Sequence, residues 1–360
     1  MKNPTPHPSS SSVGLLGPPP LETSLPRLPV EPGARDRELD RVGEVVARHA
    51  DPRAALAFLG DKRFLFSRSG MSFVMYRDAK RCRVMMGGPI GPGVEHAEIL
   101  AASCHGARRD GRAPVIYQAG DALAEPCRGL GLRLTKIGEE AIVKLADFSL
   151  TGSHRRRLRQ KIRRIEREGA TFEVLPRWEL AERLPELRRV SDDWLRGKRT
   201  REKSFSLGCF DPSYLSHFPM AVVWLDDEPI AFTNLWMGAD GDLAIDLMRY
   251  SSRAPYGVME YTCAQLCLWA QEQGHRSLSL GVAPLSGLTE GPRSPWTLTA
   301  GAIYRHGERF YGFRGLREYK EKFATEWQAR YVAAPVRRLP QALLATCSLV
   351  SGGLGGLFRR

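Results

Sequence analysis

Three short stretches of this 360-residue chain set acidic and basic side chains at spacings that could do chemistry. "DLMRY" places Asp246 and Arg249 three residues apart at the end of an expected strand, where both could enter one cleft. A carboxylate and a guanidinium so placed can bind an amino group and an ester or phosphate; equally, they can form an ion pair that ties a loop to a helix. "REYKEKF" carries Glu318, Lys320 and Lys322. On a strand all three share one face, on a helix Glu318 and Lys322 pair at i,i+4, and a solvated charged face suits either arrangement. Just upstream, "YRHGERFYGF" adds Tyr304, Arg305, His306, Glu308 and Arg309. His306 titrates near neutral pH and could serve as a base or be structural. Glu260, in the first turn after Gly257, suits a substrate amino group or the positive end of a helix.

A separate feature is charge. Residues Arg155 to Arg167 hold eight Arg or Lys in thirteen positions, and a second run, "RGKRTREK", spans 196–203 with Lys198 and Arg199. The net charge is +13 and the pI about 9.6, which favours polyanionic partners such as nucleic acid or an acidic lipid surface. A run of this kind is an exposed helix face or a grip on phosphates, and the two runs could join in space. The seven cysteines are scattered and include no C-x-x-C pair, so no zinc ribbon or disulfide framework is expected; reduced thiols fit a cytoplasmic setting. No metal and no cofactor is expected. Neither a secretory signal nor a run of 18 apolar residues is present.

The elements that must position these groups follow from periodicity. Residues 1–35 are a Pro/Ser-rich arm, expected to be disordered. Order begins near Asp36, a helix cap, with Leu39, Val42 and Val46 at helical spacing. A hairpin around Phe64–Phe66 and Phe73–Met75, a strand ending in "GGPIGP", the helix "HAEILAASCHGARRDG" and the strand "APVIYQAG" follow, then a helical turn and further strands. The basic run forms a helix capped by Ser153, with an apolar stripe at Leu158, Ile162 and Ile165 and a stop at Gly169. After it come the strand "ATFEVL", a long helix from "RWELAERL", two strands about the Asp226–Asp227 turn, the strand "GDLAIDLMRY", a helix from Val258 and the buried strand "SLSLGVAP". The tail "LPQALLATCSLVSGGLGGLFRR" is apolar but too broken by glycine to span a membrane; it suits an interfacial segment or a helix packed on the domain.

Both halves run hairpin, strand into a Gly/Pro loop, helix, short strand. This predicts an α+β class with two packed units, over 36–150 and 151–335, followed by a tail over 336–360, and the order resembles tandem acetyltransferase-like (GNAT-type) folds. The phosphate loop of that superfamily corresponds to "RYSSRAPYGVMEY", which has Arg253 and Gly257 but not the Gly-rich pattern, so coenzyme A is not the expected donor.

Taken together and in order, "GDKRFLFS", "KSFSLGCFDPSYL", "IAFTNLW", "DLMRY", "GVMEY", "LGVAPLSGL" and "YRHGERFYGFRGLREYKEKF" resemble the catalytic domain of the phosphatidylglycerol lysyl/alanyltransferases, the multiple peptide resistance factor family. The resemblance implies transfer of an aminoacyl group from aminoacyl-tRNA to the glycerol hydroxyl of phosphatidylglycerol at the inner membrane face, which lowers affinity for cationic peptides. Such an ester is already activated, so the protein must hold a hydroxyl against a carbonyl, move a proton and stabilise an oxyanion. By this likeness Asp246, Arg249 and a lysine of "REYKEKF" are catalytic, Lys322 being preferred slightly over Lys320. Glu260, Tyr304, His306, Glu308 and Arg253 would contact substrate, and Arg155, Arg156, Arg159, Arg163, Lys198 and Arg199 would grip tRNA or lipid. Two departures stand out. The flippase domain that precedes this one in many members has no counterpart, so either a separate flippase is a partner or lipid flipping is not this chain's business. Gly88 stands where the first-half loop usually has an acid. A peptide or peptidoglycan-precursor acceptor, and a non-catalytic tRNA- or membrane-binding protein, are the alternatives.

Overall fold

A computed structural model describes residues 34–288 and 313–351. Its middle layer is one mixed sheet of twelve strands. In chain order the first half contributes α1 (Ala34–Val46), β1 (Arg63–Phe66), β2 (Phe73–Ala79), β3 (Cys82–Met86), α2 (His96–Arg109), β4 (Ala113–Ala119), α3 (Ala124–Gly129) and β5 (Arg133–Lys144). The second contributes α4 (Arg156–Arg167), β6 (Thr171–Leu175), α5 (Leu180–Lys198), α6 (Pro212–Leu215), β7 (Met220–Leu225), β8 (Glu228–Met237), β9 (Asp242–Ile245), β10 (Arg249–Tyr250), α7 (Val258–Glu272) and β11 (Ser277–Pro284). The chain then forms α8 (Phe313–Glu321), β12 (Glu326–Ala334) and α9 (Leu339–Val350).

The strand order is β1-β2-β3-β4-β12-β5-β11-β9-β8-β7-β6, with β10 beside β8. Each half is an antiparallel meander followed by a helix and a strand that returns parallel: β4 beside β3, and β11 beside β9. The final strand of each half is exchanged. β12 lies between β4 and β5, and β5 lies between β12 and β11. The fold is therefore α+β with two acetyltransferase-like units sharing one sheet.

Strand alternation sends side chains to two faces. Phe73, Val84, Val115, Met220 and Val222 join α1, α5, α6 and α9 in one core. Ala221, Val223, Ala141 and Val143 pack with α4 and α7 on the opposite face, and Val74, Met85 and Ile116 pack with α2 on that same side. Asp226 and Asp227, both with positive φ, make the tight β7–β8 turn.

Several local expectations change. Asp36 lies inside α1, which starts at Ala34. Ser153 supplies α4 with a carbonyl, accepting from Arg156 N, and not with a side-chain cap. The region after α3 is one twelve-residue strand, since Gly138 (φ +156°) allows β5 to bend without ending. "REYKEKF" is helical through Glu321. The tail begins as α9, which buries Ala342, Ala345 and Leu349 against the sheet.

Candidate active site

The site begins where two parallel strands part. β9 and β11 pair at Asp242↔Ser277, Leu243↔Leu278 and Ala244↔Ser279, and no further. Both then bulge. Ile245 faces Leu235 and Arg249 faces Phe232, so Asp246 and Leu247 together oppose Asn234, whose carbonyl groups accept from their backbone N–H groups. On β11 an extra residue falls between Ser279 and Val282, where Gly281 takes φ +80°. Bulges at the same level turn the strands apart and make a fork in the sheet.

The β9 prong is fixed by the motif "FSLGCFDP". Gly208 N donates to Asp246 Oδ1 (2.8 Å), and a Cβ at Gly208 would stand 1.8 Å from Asp246 Oδ2, so only glycine permits this approach. Asp211 caps α6, accepting from Tyr214 N (3.1 Å); Tyr214 OH in turn donates to Asp246 Oδ2 (2.9 Å) and accepts from Trp236 Nε1 (2.8 Å). Burial raises the Asp246 pKa, and these donors together with Arg249 only partly offset it. Arg249 pairs not with Asp246 but with Glu202, through Nη1 (2.8 Å) and Nη2 (2.6 Å), and also donates to Ser191. "DLMRY" is thus tied to the segment Glu202–Asp211, and the ion pair within it is replaced by a buried one across 47 residues.

The β11 prong meets the first half. Ser279 Oγ donates to Glu140 of β5, which also accepts from Arg330 Nε (2.6 Å) and Arg53 Nη1 (3.4 Å); Arg53 is held by Asp51. Burial would raise the Glu140 pKa, but the two guanidinium groups outweigh it and hold the carboxyl below its usual range. Lys320 reaches this prong from α8. It is 5% exposed, and its ammonium donates to Val282 O (2.9 Å). Burial lowers its pKa to about 7, against a partial counter-effect of Glu140. The "APLSGL" loop wraps the neighbouring Glu139: Lys136 (2.8 Å), Arg317 and Ser286 (3.4 Å) all donate to it, and Gly287 leaves no room for a side chain.

Lys322 lies outside this cluster. It is exposed and pairs with Glu260 (3.0 Å), which also binds Lys161 of α4 (2.7 Å). Burial would raise the Glu260 pKa, and the two ammonium groups more than reverse it. Arg253 is on the surface, paired with Glu228. Tyr304, His306, Glu308 and their neighbours Arg305 and Arg309 lie outside the described residues. On α4, Arg159 clamps Leu150 O and Gly152 O (2.7 Å), and Arg155 donates to Lys322 O, whereas Arg156 and Arg163 are exposed. The second run does not join them on one helix face. α4 packs opposite α5, which carries Lys198 over the Tyr250 ring and ends with Arg199 at positive φ. Among the described residues no cluster of His, Cys, Asp or Glu could hold a metal, and no helix is long and apolar enough to cross a membrane.

Glu139, Glu140, Arg53, Ser279, Arg317 and Arg330 were not singled out from sequence. One signal was available for Lys320: Leu316, Tyr319, Lys320 and Phe323 form an i, i+3, i+4, i+7 stripe, which puts that lysine on the buried face.

Twin meanders, each leading through a helix to a parallel fork, define a tandem acetyltransferase-like protein. The FemX structure shares this fold, with a TM-score of 0.54 at 11% identity over 85% of this chain and 97% of that one. Within that class the chain belongs to the phosphatidylglycerol lysyltransferase, C-terminal, family, whose model matches residues 44–334. It is 37% identical over 304 residues to the phosphatidylglycerol lysyltransferase of Bacillus subtilis (strain 168), covering 83% of this chain and 35% of that protein. It is 31% identical over 280 residues to the one from Staphylococcus xylosus, covering 77% and 33%. The chain thus spans about a third of the length of these curated relatives. Among solved structures, L-PGS from Bacillus licheniformis superposes with a TM-score of 0.77 at 34% identity, over 88% of this chain and 96% of that one. The C-terminal domain assigned as a lysylphosphatidylglycerol synthetase in Agrobacterium fabrum gives 0.79 at 35%, over 89% and 98%.

Proposed function

We propose that this chain transfers an aminoacyl group, lysyl as in the names of its relatives, from aminoacyl-tRNA to the glycerol hydroxyl of phosphatidylglycerol at the inner membrane face. The observation that carries the chemistry is Lys320, buried at the fork beside Glu140 with a pKa near 7. At neutral pH such an amine is divided between a form that accepts a proton and one that gives it back. The lipid hydroxyl oxygen bonds to the ester carbonyl carbon as Lys320 takes its proton. The tetrahedral oxyanion then collapses, and the 3′-terminal ribose oxygen of the tRNA leaves with the proton returned by Lys320. Neither nucleotide hydrolysis nor a covalent enzyme intermediate is required, because the ester already carries the activation. Asp246 and Arg249, whose polar atoms are engaged by Gly208, Tyr214 and Glu202, hold the other prong in place. A lysylated headgroup replaces net negative charge with positive charge, so the membrane attracts cationic peptides less.

The test is to express the chain in cells with phosphatidylglycerol membranes and identify new lipids by mass spectrometry. Aminoacyl-phosphatidylglycerol is the expected product. Its absence, alongside an aminoacylated peptide or peptidoglycan precursor, would move the acceptor; no aminoacylated product of any kind would end the reading.

A further inference from the structure

We infer that Asp61 is a positioning residue for the transfer: from the first half of the chain it fixes a strained turn at Phe205, and through that turn the Gly208 N–H that holds Asp246. The inference rests on the fork being the reaction centre. "GDKRFLFS" sets Asp61 and Lys62 just ahead of β1, and both are buried. Asp61 divides its carboxylate between two donors. Oδ1 accepts from Lys62 Nζ (2.7 Å), and Oδ2 accepts from the backbone N–H of Phe205 (2.8 Å), 144 residues away. Lys62 also donates to Leu56 O (3.0 Å), and its ammonium lies 5.4 Å from the centre of the Phe205 ring.

Phe205 needs such support. Its φ is +66°, and Ser206 N donates across it to Ser204 O (2.8 Å), so a bulky aromatic residue sits at the centre of a γ-turn of the strained, positive-φ kind. Residues 200–211 form neither helix nor strand, yet they carry Glu202, the partner of Arg249, and Gly208, the partner of Asp246. With no ladder to hold it, the path of this segment is set by point contacts. Arg249 fixes it at Glu202, and the Asp211 cap on α6 fixes its far end. Between these, Ser204 is tied to the end of α9 through Leu349 O (2.9 Å) and Val350 O (3.4 Å), Tyr117 stacks on Phe205 with ring centres 6.4 Å apart, and Asp61 holds the turn itself. Three residues further on, Gly208 meets Asp246 with no space for a Cβ, so a small shift of the turn is passed to the carboxylate. A buried ion pair is a weak source of stability, because desolvating both charges offsets their attraction. What the Asp61–Lys62 pair supplies is a fixed acceptor for one backbone N–H.

The test compares two double variants of the full chain. Asp61→Leu with Lys62→Met removes both charges and the acceptor. Asp61→Asn with Lys62→Met removes the charges but keeps an oxygen for Phe205 N. Both lose Lys62, so they differ in whether residue 61 can accept. In the leucine variant, kcat for lipid aminoacylation per folded protein should fall by about tenfold or more, with KM for aminoacyl-tRNA within about twofold of the wild type. The asparagine variant should restore kcat to within about threefold. Hydrogen exchange at the Gly208 amide, read by NMR, should quicken in the leucine variant and not in the asparagine one. A thermal melt checks the fold. If the leucine variant does not fold, Asp61→Ser with Lys62→Met takes its place, because the serine hydroxyl stops one bond short of the Phe205 N–H. Equal kcat in the two variants, equal exchange at Gly208, or losses that only follow the melting temperature would each overturn the assignment. An intact chain that makes no aminoacylated product removes the transfer reading, and the exchange comparison then decides on its own whether Asp61 sets the Gly208–Asp246 contact.

Discussion

The sheet contains two forks built on one backbone plan, and they differ in what fills them. In the first half β3 and β4 pair from Cys82↔Ala113 to Met86↔Tyr117, and the chain then turns through Gly87 and Gly88. A Cβ on Gly88 would stand 3.1 Å from Leu123, and Cys127, Leu132 and Ala119 complete an apolar plug. In the second half the helix between the last two strands supplies Lys320, which donates to Val282 O, and on the adjoining strands Ser279 donates to Glu140. The missing acid at Gly88 therefore coincides with a fork closed by packing. The same architecture serves as scaffold in one place and as a candidate reaction centre in the other, and the contents of the connecting helix make the difference.

The sharpest way to break this contrast is Lys320→Met. Transfer to lipid should fall by about a hundredfold or more, measured per folded protein. Stability should rise, because the native fold keeps the lysine pKa near 7 and an unfolded chain keeps it at 10.5. The folded state binds fewer protons between those values, so the wild type gains stability as pH rises through that window, and burial of the ammonium costs it most below pH 7. The variant should therefore be more stable at pH 6, by on the order of 2 kcal/mol, with the gap closing towards pH 10.5 in denaturant titrations. Equal stability at both pH values would show that the amine is not desolvated.

Next in size is Gly208→Ala. The added methyl would displace Asp246 or the Tyr214 ring, which would stand 2.8 Å away, so activity should drop at least tenfold and stability by about 2–4 kcal/mol. An unaffected variant would detach the β9 prong from function. The pH–rate profile of the wild type should rise to a plateau with a midpoint near 7, and Lys322→Met should leave that midpoint in place, since Lys322 is exposed. Smallest is Leu123→Ala in the first fork. It should cost about 1–2 kcal/mol of stability without changing turnover of the folded protein, and a specific loss of turnover would mean that the first fork also takes part.

Much of the positioning machinery was legible because it is local. The stripe of α4, the Asp226–Asp227 turn and the hairpin at Phe64–Phe73 follow from spacing alone. The motifs quoted for the family resemblance turn out to be partners: "FSLGCFDP" embraces Asp246, and "APLSGL" embraces Glu139. What escaped is non-local. Glu140, Arg53 and Arg330 look like ordinary strand and loop charges until 87- and 190-residue separations are closed by the fold. The slight preference for Lys322 over Lys320 has no strong reason in the residues themselves; Lys320 and Phe323 are buried, and the stripe they share with Leu316 and Tyr319 is the local signal for which lysine turns inward.

The exchanged strands have a consequence for any attempt to divide the molecule. The acid whose charge acts on Lys320 is donated by β5, from the first half of the chain, and β12, the last of the described strands, closes the gap that β5 alone would leave beside β4. A fragment beginning after Lys144 would keep the lysine yet lose Glu140, and would bare one edge of β11. The duplicated units behave as interlocked hands: severed at the midpoint, neither should fold to a closed sheet, whereas the two pieces made together have a route to reassembly.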